Sequence, residues 1–305
     1  MMNIALAGDI NVLSGIELVI YSTMLHNKNI HWRILTMDCE VVDEHRGEVR
    51  QYHGLKGGYP EDWLKFLVNF MDYKSTIEIV DCKELYDQHL AHSVNRFTGF
   101  TPYAALRLLP DLFMPYDPQK APNIEDDRLL YLDADVIVQK NLEPLYFSLL
   151  DWNDDYAAYV LPDACNGFGE LISAVILYNL RHIRYSGFLN NARRNYNGKQ
   201  YPYPDQGALA DAGTPAFMPE TMDYMFDHKL ATYVPHILHF SNVNYTKIYN
   251  QSKGEAAFWK YYPEHRYLKD GLDAAKMTFE NYYGKPTPIR WNFQVKFDAD
   301  PNSRR

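Results

Sequence analysis

Positive charge is in short supply in this chain: 30 Lys and Arg stand against 39 Asp and Glu, a formal net charge of −9 at pH 7 over 305 residues. Non-specific nucleic-acid binding needs a basic face, so that class of function is excluded. Electrostatic attachment of the whole surface to an anionic bilayer is disfavoured for the same reason. Cysteine is scarce as well, with only Cys39, Cys82 and Cys165 and no C-x-x-C spacing. That argues against a disulfide framework or a thiolate zinc site and fits a reducing compartment. No apolar run approaches the ~20 residues a helix needs to cross a bilayer. The opening MMNIALAGDINV has neither the basic n-region nor the apolar length of a signal peptide. A cytoplasmic protein is expected, without internal repeat or low-complexity tract.

Apolar residues make up 47% of the chain, enough for a substantial core. Tyrosine is abundant, at 25 residues, which suits stacking on sugars and equally suits ordinary packing. MNIALAGD reads as a strand. SGIELVIYSTMLHNK reads as a helix with Ser14 as N-cap. IHWRILTMD and STIEIVDC are further strands, separated by the amphipathic EDWLKFLVNFMDYK. TPYAALRLLPDLF reads as a helix opened by Thr101 and Pro102 and closing near Pro110. YAAYVLPDA, ISAVILYNL and HILHFSNVNY read as later strands. The alternation predicts an α/β fold with a mostly parallel sheet flanked by helices and a less regular C-terminal portion. In such sheets ligands sit beyond the carboxyl ends of the strands, where Asp9, Asp133 and Asp135 would meet.

RLLYLDADVIV, residues 128–138, reads as a buried strand that nevertheless carries Asp133 and Asp135. Side chains two apart in a strand share a face, so the carboxylates are expected side by side with something positive between them. A solvated strand end explains the apolar flanks poorly; oxygen ligation of a hard divalent cation explains them better. D-A-D-V-I also resembles the first motif of haloacid-dehalogenase-type phosphotransferases, in which the first aspartate is the nucleophile and the second a general acid. The later acidic motif of that family has no match, the Gly-Asp pair of this chain being Gly8-Asp9, upstream.

Taken in order, LAGDIN, FTPYAALRLLPDLF, RLLYLDADVIVQKNLEPLY, ISAVILYNL, YPYPDQGALA and ILHFSNVNYTKIY resemble glycosyltransferase family 8, from the N-terminus to about Tyr249. The resemblance implies a GT-A (Rossmann-like) fold. It also implies transfer of a hexose, galactose or glucose, from a UDP-sugar with retention of configuration to a glycan, lipid-linked saccharide or glycoprotein. Residues 1–250 would form the catalytic domain and 251–305 an extension packed on it. Asp133, Asp135 and His239 match the positions that hold Mn²⁺, with Mg²⁺ as the alternative; carboxylate plus imidazole suits Mn²⁺ better. His239 taken alone would read as a core-facing histidine.

By the same resemblance Ala7, Asp9 and Asn11 match the uridine site, although Asp and Asn are also ordinary turn residues. Arg107 and Ala134 match donor-site positions, Arg107 contacting the donor sugar or nearby acids. Asp163 matches an acidic sugar contact. Asp205 and Gln206 match the catalytic pair beside the anomeric carbon, with Asp205 also readable as a helix cap. Asn242 and Lys247 match the H-Y-x-G-x-x-K segment near the diphosphate. The chain departs from the family pattern at Val12 (an aromatic), Ile172 (an asparagine), Ala174 (a glycine), Gly207 (an aspartate) and Asn242 (a glycine), and Lys247 comes two residues late. A non-catalytic protein that binds UDP-sugar or glycan is the alternative consistent with Ile172 and the displaced Lys247. Relatives that act on lipid-linked saccharides would add a peripheral contact with the inner face of the membrane, for which the terminal PNSRR offers little support.

Overall fold

The structure, a computed structural model of the chain, describes residues 1–43, 48–95, 101–114, 127–148, 156–162, 171–213, 216–217, 226–227, 234–239 and 265–284. Its centre is a seven-stranded sheet built from β1 (Met2–Ala7), β2 (Ile30–Thr36), β5 (Thr76–Asp81), β6 (Arg128–Leu132), β8 (Ala158–Pro162), β9 (Leu171–Asn179) and β10 (Ala216–Phe217). The spatial order is β10-β8-β9-β6-β1-β2-β5. β9 runs against its neighbours β6 and β8, and the other adjacent pairs are parallel. β2 and β5 lie to one side of β1 and β6 to the other. The strand order therefore reverses between β1 and β6, the switch point where open α/β sheets leave a crevice.

Both faces of the sheet are covered, and the strands accordingly read as near-continuous apolar runs. Leu130 and Leu132 of β6 join one core with Ile4, Leu6, Trp32 and Val175. Leu129 and Tyr131 join the other with Ala5, Leu35, Ile176 and Tyr178. The first core is roofed by α1 (Leu13–His26) and α2 (Gly58–Met71), whose buried stripe is Pro60, Trp63, Leu64, Leu67 and Val68. Two smaller sheets complete the strands: the hairpin β3 (Cys39–Asp43) and β4 (Glu48–Tyr52), and a three-stranded sheet of β7 (Val136–Val138), β11 (Phe226–Asp227) and β12 (Ile237–His239). Among the described residues no helix is long and apolar enough to cross a membrane.

Several local expectations change. Ser14 does not cap α1; a 3-10 turn, Ile10–Val12, precedes it, and the Asp9 side chain caps that turn through the Asn11 N–H. The stretch after Thr101 forms a 3-10 helix, Pro102–Leu108, and then a short helix α4 (Pro110–Phe113), with α3 (Lys83–His89) ahead of both. Pro110 lacks the N–H that would carry a single helix through. Beyond α5 (Glu143–Ser148), the helical stretch after β9 is split into α6 (Leu180–Ser186) and α7 (Phe188–Gly198) by Gly187, at φ 67°. α8 (Pro204–Ala210) starts at Pro204, and its N-cap is Tyr203 rather than Asp205. Within the C-terminal portion the described residues include α9 (Arg266–Tyr283), an 18-residue helix. It packs on α1 and α2 with Phe279 edge-on to Tyr59, Trp63 and Phe66.

Candidate metal centre

The run 128–138 is not one strand. β6 stops at Leu132, the Asp133 N–H donates to the Ala174 carbonyl at 2.8 Å, and Ala134 and Asp135 turn the chain into β7, which leaves for the small sheet. The two carboxylates thus stand at a bend, Asp133 against Arg107 and Asp135 against His239. Asp133 keeps the face of Tyr131, whose hydroxyl donates to its Oδ1 at 3.0 Å. The register of β1 with β6, Ala5 opposite Tyr131, sets Ala7 level with Asp133, so the turn carrying Asp9 and Asn11 opens into the same crevice.

Arg107 reaches Asp133 from the 3-10 helix. Its guanidinium grips the carboxylate at both oxygens, 2.6 Å to Oδ1 and 3.3 Å to Oδ2. Nε lies 3.1 Å from Asp205 Oδ2 and donates to Ala104 O at 2.9 Å. The remaining contacts are to Ser173, at 2.6 Å to its carbonyl and 2.8 Å to its hydroxyl. The guanidinium carbon sits 4.7 Å from the centre of the Tyr131 ring, a cation–π contact. The segment is anchored by Tyr178, whose hydroxyl donates to Arg107 O, and by Arg193 of α7, which forks onto Asp111 at 2.6 and 3.0 Å and onto Leu108 O. Arg107 therefore serves the nearby acids, one of the two roles expected for it.

His239 arrives from the other side. β12 pairs antiparallel with β7, His239 opposite Val136, which sets the imidazole beside Asp135. Nε2 lies 3.4 Å from Asp135 Oδ1, an ion-pair contact longer than a good hydrogen bond, and that buried oxygen has no hydrogen-bond partner. One ligand atom each from Asp133, Asp135 and His239 falls within 4.8 Å of the others. A buried, unbonded carboxylate oxygen facing an imidazole is what a cation site offers, and two carboxylates with an imidazole fit a divalent metal ion. Each carboxylate oxygen has two lone pairs, so Asp133 can keep Arg107 and still ligate.

Burial pushes the Asp133 carboxyl up to about 6, with Arg107 opposing and Asp135 adding to the rise. Burial acts on Asp135 in the same direction, but the His239 contact outweighs it and holds that carboxyl below the usual range. His239 mirrors this: burial lowers its pKa, and Asp135 more than reverses the effect.

Asp9 is buried, and both its oxygens accept from Asn11, from the backbone N–H at 3.1 Å and from Nδ2 at 2.8 Å. Burial raises its pKa against those bonds. Val12, where the family pattern has an aromatic, packs close on Gly8: a Cβ on Gly8 would stand 2.4 Å from Val12 Cγ2. Gly207 is accounted for too, since a Cβ there would meet the Tyr201 ring at 2.4 Å. Asp205 and Gln206 open α8 beside Ser173, which donates from its hydroxyl to Asp205 Oδ2 at 3.1 Å and from its N–H to Gln206 Oε1 at 3.4 Å. Ser173 and Tyr131 were not among the candidate residues. A serine in the otherwise largely apolar LISAVILYN, and a tyrosine two residues before an aspartate, are the signals that could have found them. Asp163, Asn242 and Lys247 lie outside the described residues.

Solved structures of glycosyltransferases share this architecture. Glycosyltransferase GlyE of Streptococcus pneumoniae aligns over 79% of this chain and 55% of its own, at 16% identity and a TM-score of 0.51. The bifunctional glycosyltransferase WbbM aligns over 80% and 46%, at 15% identity and 0.54. The chain thus spans about half the length of each, 55% and 46%. Galactosyltransferase LgtC, solved with donor and acceptor sugar analogues, aligns over 90% of this chain and 96% of its own, at 14% identity and 0.53. The fold is that of the GT-A glycosyltransferases. No model of a protein family matches the chain, and no curated protein matches its sequence.

Proposed function

We propose that this protein is a cytoplasmic, metal-dependent glycosyltransferase resembling family 8, which moves a hexose from a UDP-sugar with retention to a glycan, lipid-linked saccharide or glycoprotein. The observation that carries the reading is the Asp133–Asp135–His239 cluster, with ligand atoms within 4.8 Å of one another, at the sheet's switch point. Those three residues would hold Mn²⁺. When bound there, the cation offsets the negative charge that gathers on UDP as the glycosidic bond breaks. Asp9 and Asn11, across the crevice, are assigned to the uridine, and Ala7 and Ala134 supply close backbone walls. Asp163, Asn242 and Lys247 are assigned to the sugar and diphosphate from the sequence pattern alone. Asp205 and Gln206 are assigned to the anomeric centre, where the acceptor hydroxyl attacks from the leaving-group side. Residues 1–250 form the catalytic domain in this reading, with 251–305 as its extension.

The same geometry disfavours the phosphotransferase alternative. A nucleophilic aspartate attacks through a free lone pair of its carboxylate, and Arg107 and Tyr131 leave Asp133 a single one on Oδ2, which the cation would take. The test is calorimetric titration with UDP, with and without Mn²⁺, followed by UDP release from a panel of UDP-sugars. Mn²⁺-dependent binding with release from one donor is the expected result. Binding without release from any donor would instead support a sugar-nucleotide-binding protein, and no UDP binding at all would refute the reading.

A further inference from the structure

Ser173 lies between Ile172 and Ala174, two positions at which the chain departs from the family pattern, and it is where the two halves of the site meet. Its side chain is buried, at 6% exposure. Its hydroxyl accepts from Arg107 at 2.8 Å and donates to Asp205 Oδ2 at 3.1 Å. Its carbonyl accepts from the same Arg107 nitrogen at 2.6 Å, and its N–H donates to Gln206 Oε1 at 3.4 Å. On the glycosyltransferase reading, we propose that Ser173 is the positioning residue that sets Asp205 and Gln206 against the metal-binding Asp133.

The argument is directional. Arg107 alone ties Asp205 to Asp133 through Nε, a single contact at 3.1 Å about which the carboxylate can swing. The Ser173 hydroxyl approaches the same Oδ2 from a second direction and removes that freedom. Among the described residues the Arg107 ion-pair contact and the Ser173 hydrogen bond both fall on Oδ2, which leaves Oδ1 available as an acceptor. A backbone N–H can meet an amide only at its oxygen, so the contact with Ser173 turns the Gln206 Nε2 donor away from the strand. An acceptor and a donor fixed side by side suit the hydroxyl groups of a hexose. Small misplacement of such groups is expensive in rate: about 1 Å can cost ~10²-fold. Asp133 keeps Arg107 Nη2 and the Tyr131 hydroxyl on Oδ1 whether or not the Ser173 hydroxyl is present. That hydroxyl bonds to Arg107 and Asp205 rather than to Asp9, Asp135 or His239, so donor affinity is carried mainly elsewhere.

The experiment compares wild type, Ser173→Ala and Ser173→Thr in UDP release from UDP-galactose and UDP-glucose with Mn²⁺. A double-mutant cycle of Ser173→Ala with Asp205→Ala, read by urea unfolding, runs alongside. Ser173→Ala is expected to lower kcat about 10- to 100-fold while the donor KM moves less than about threefold. Ser173→Thr, which keeps the hydroxyl, restores most of kcat, and the unfolding cycle is non-additive. A Ser173→Ala kcat within about twofold of wild type, or additive unfolding effects, overturns the proposal. Wild-type protein that releases no UDP from any UDP-hexose defeats the transferase reading and the rate role with it, while a non-additive cycle still upholds the link between Ser173 and Asp205.

Discussion

Replacing Gly15 by alanine sets helix propensity against the metal centre. In the interior of an exposed helix the exchange stabilises by up to about 1 kcal/mol. Gly15, however, is where α1 presses on the bend between β6 and β7. A Cβ there would stand 2.3 Å from the Ala134 carbonyl oxygen, 3.3 Å from its carbonyl carbon and 3.5 Å from its Cβ. Ordinary contact is about 3.5 Å or more, so roughly 1 Å of separation has to be created. The helix cannot retreat easily, because Ile16, Val19 and Ile20 are fully buried in the core beneath it. Overpacking of this kind costs about 1–3 kcal/mol and outweighs the propensity gain.

The strain also falls between two ligands, since Ala134 separates Asp133 from Asp135. Metal–ligand distances tolerate only about 0.2 Å, so a shift of the bend should weaken Mn²⁺ binding at least tenfold. Urea unfolding measures the first effect and calorimetric titration with Mn²⁺ and UDP the second. A Gly15→Ala protein that is more stable than wild type and binds Mn²⁺ with unchanged affinity would refute both the packing argument and the placement of the site.

Asp135→Ala should abolish Mn²⁺-dependent UDP binding in calorimetry while the melting temperature stays within a few degrees of wild type, because the deleted Oδ1 has no hydrogen-bond partner to strand. Ligation needs Asp133 ionised and His239 neutral. With Asp133 pushed up to about 6 and His239 raised as well, Mn²⁺-dependent binding should fall as pH drops through about 6; a binding curve flat from pH 7 to pH 5 would contradict this. Glu17, buried in α1, accepts from Trp63 Nε1 at 2.7 Å, and burial raises its pKa against the pull of Lys276 and Trp63. The folded state therefore holds this proton to higher pH than the unfolded state, and stability from the group is full in acid and lost as pH rises above the ordinary glutamate value of 4.5. Glu17→Gln should be more stable than wild type at pH 7 in urea unfolding, with the difference shrinking toward pH 4.

The parallel core was legible because both its faces are buried. Runs such as MNIALA and RLLYL are buried at every position and apolar at all but Asn3 and Arg128, and the helices between them repeat at helical spacing. What local pattern could not supply is where a strand leaves the sheet. RLLYLDADVIV has no Gly or Pro at Asp133–Asp135, so nothing in it announces the bend. The break is imposed from outside, by Gly15 against Ala134 and by β12 drawing β7 into a different sheet. α9 was not among the elements read from the sequence; its buried set, Leu268, Ala275 and Phe279, is sparse, and the rings that Phe279 meets, Trp63 and Phe66, come from α2, far away in the chain.

The site divides along the same line. Asp133, Asp135 and Asp9 advertise themselves, because a carboxylate amid apolar residues at a strand end demands a partner. The partners come from far along the chain and are polar in unremarked settings. Arg107 sits on what reads as an amphipathic helix, His239 in a short strand, and Ser173 alone in an apolar one. Each acquires meaning only when the fold brings it to the crevice. Arg107 and Ser173 are 66 residues apart, and Ser173 and Asp205 are 32 apart. A buried guanidinium shared by two carboxylates would be a costly ornament if it served stability alone, since apolar packing holds a fold as well as a buried ion network does. What the network adds is direction: Arg107 and Ser173 together fix where Asp133 and Asp205 stand relative to each other, and on the proposed reading the transfer of a hexose depends on that separation.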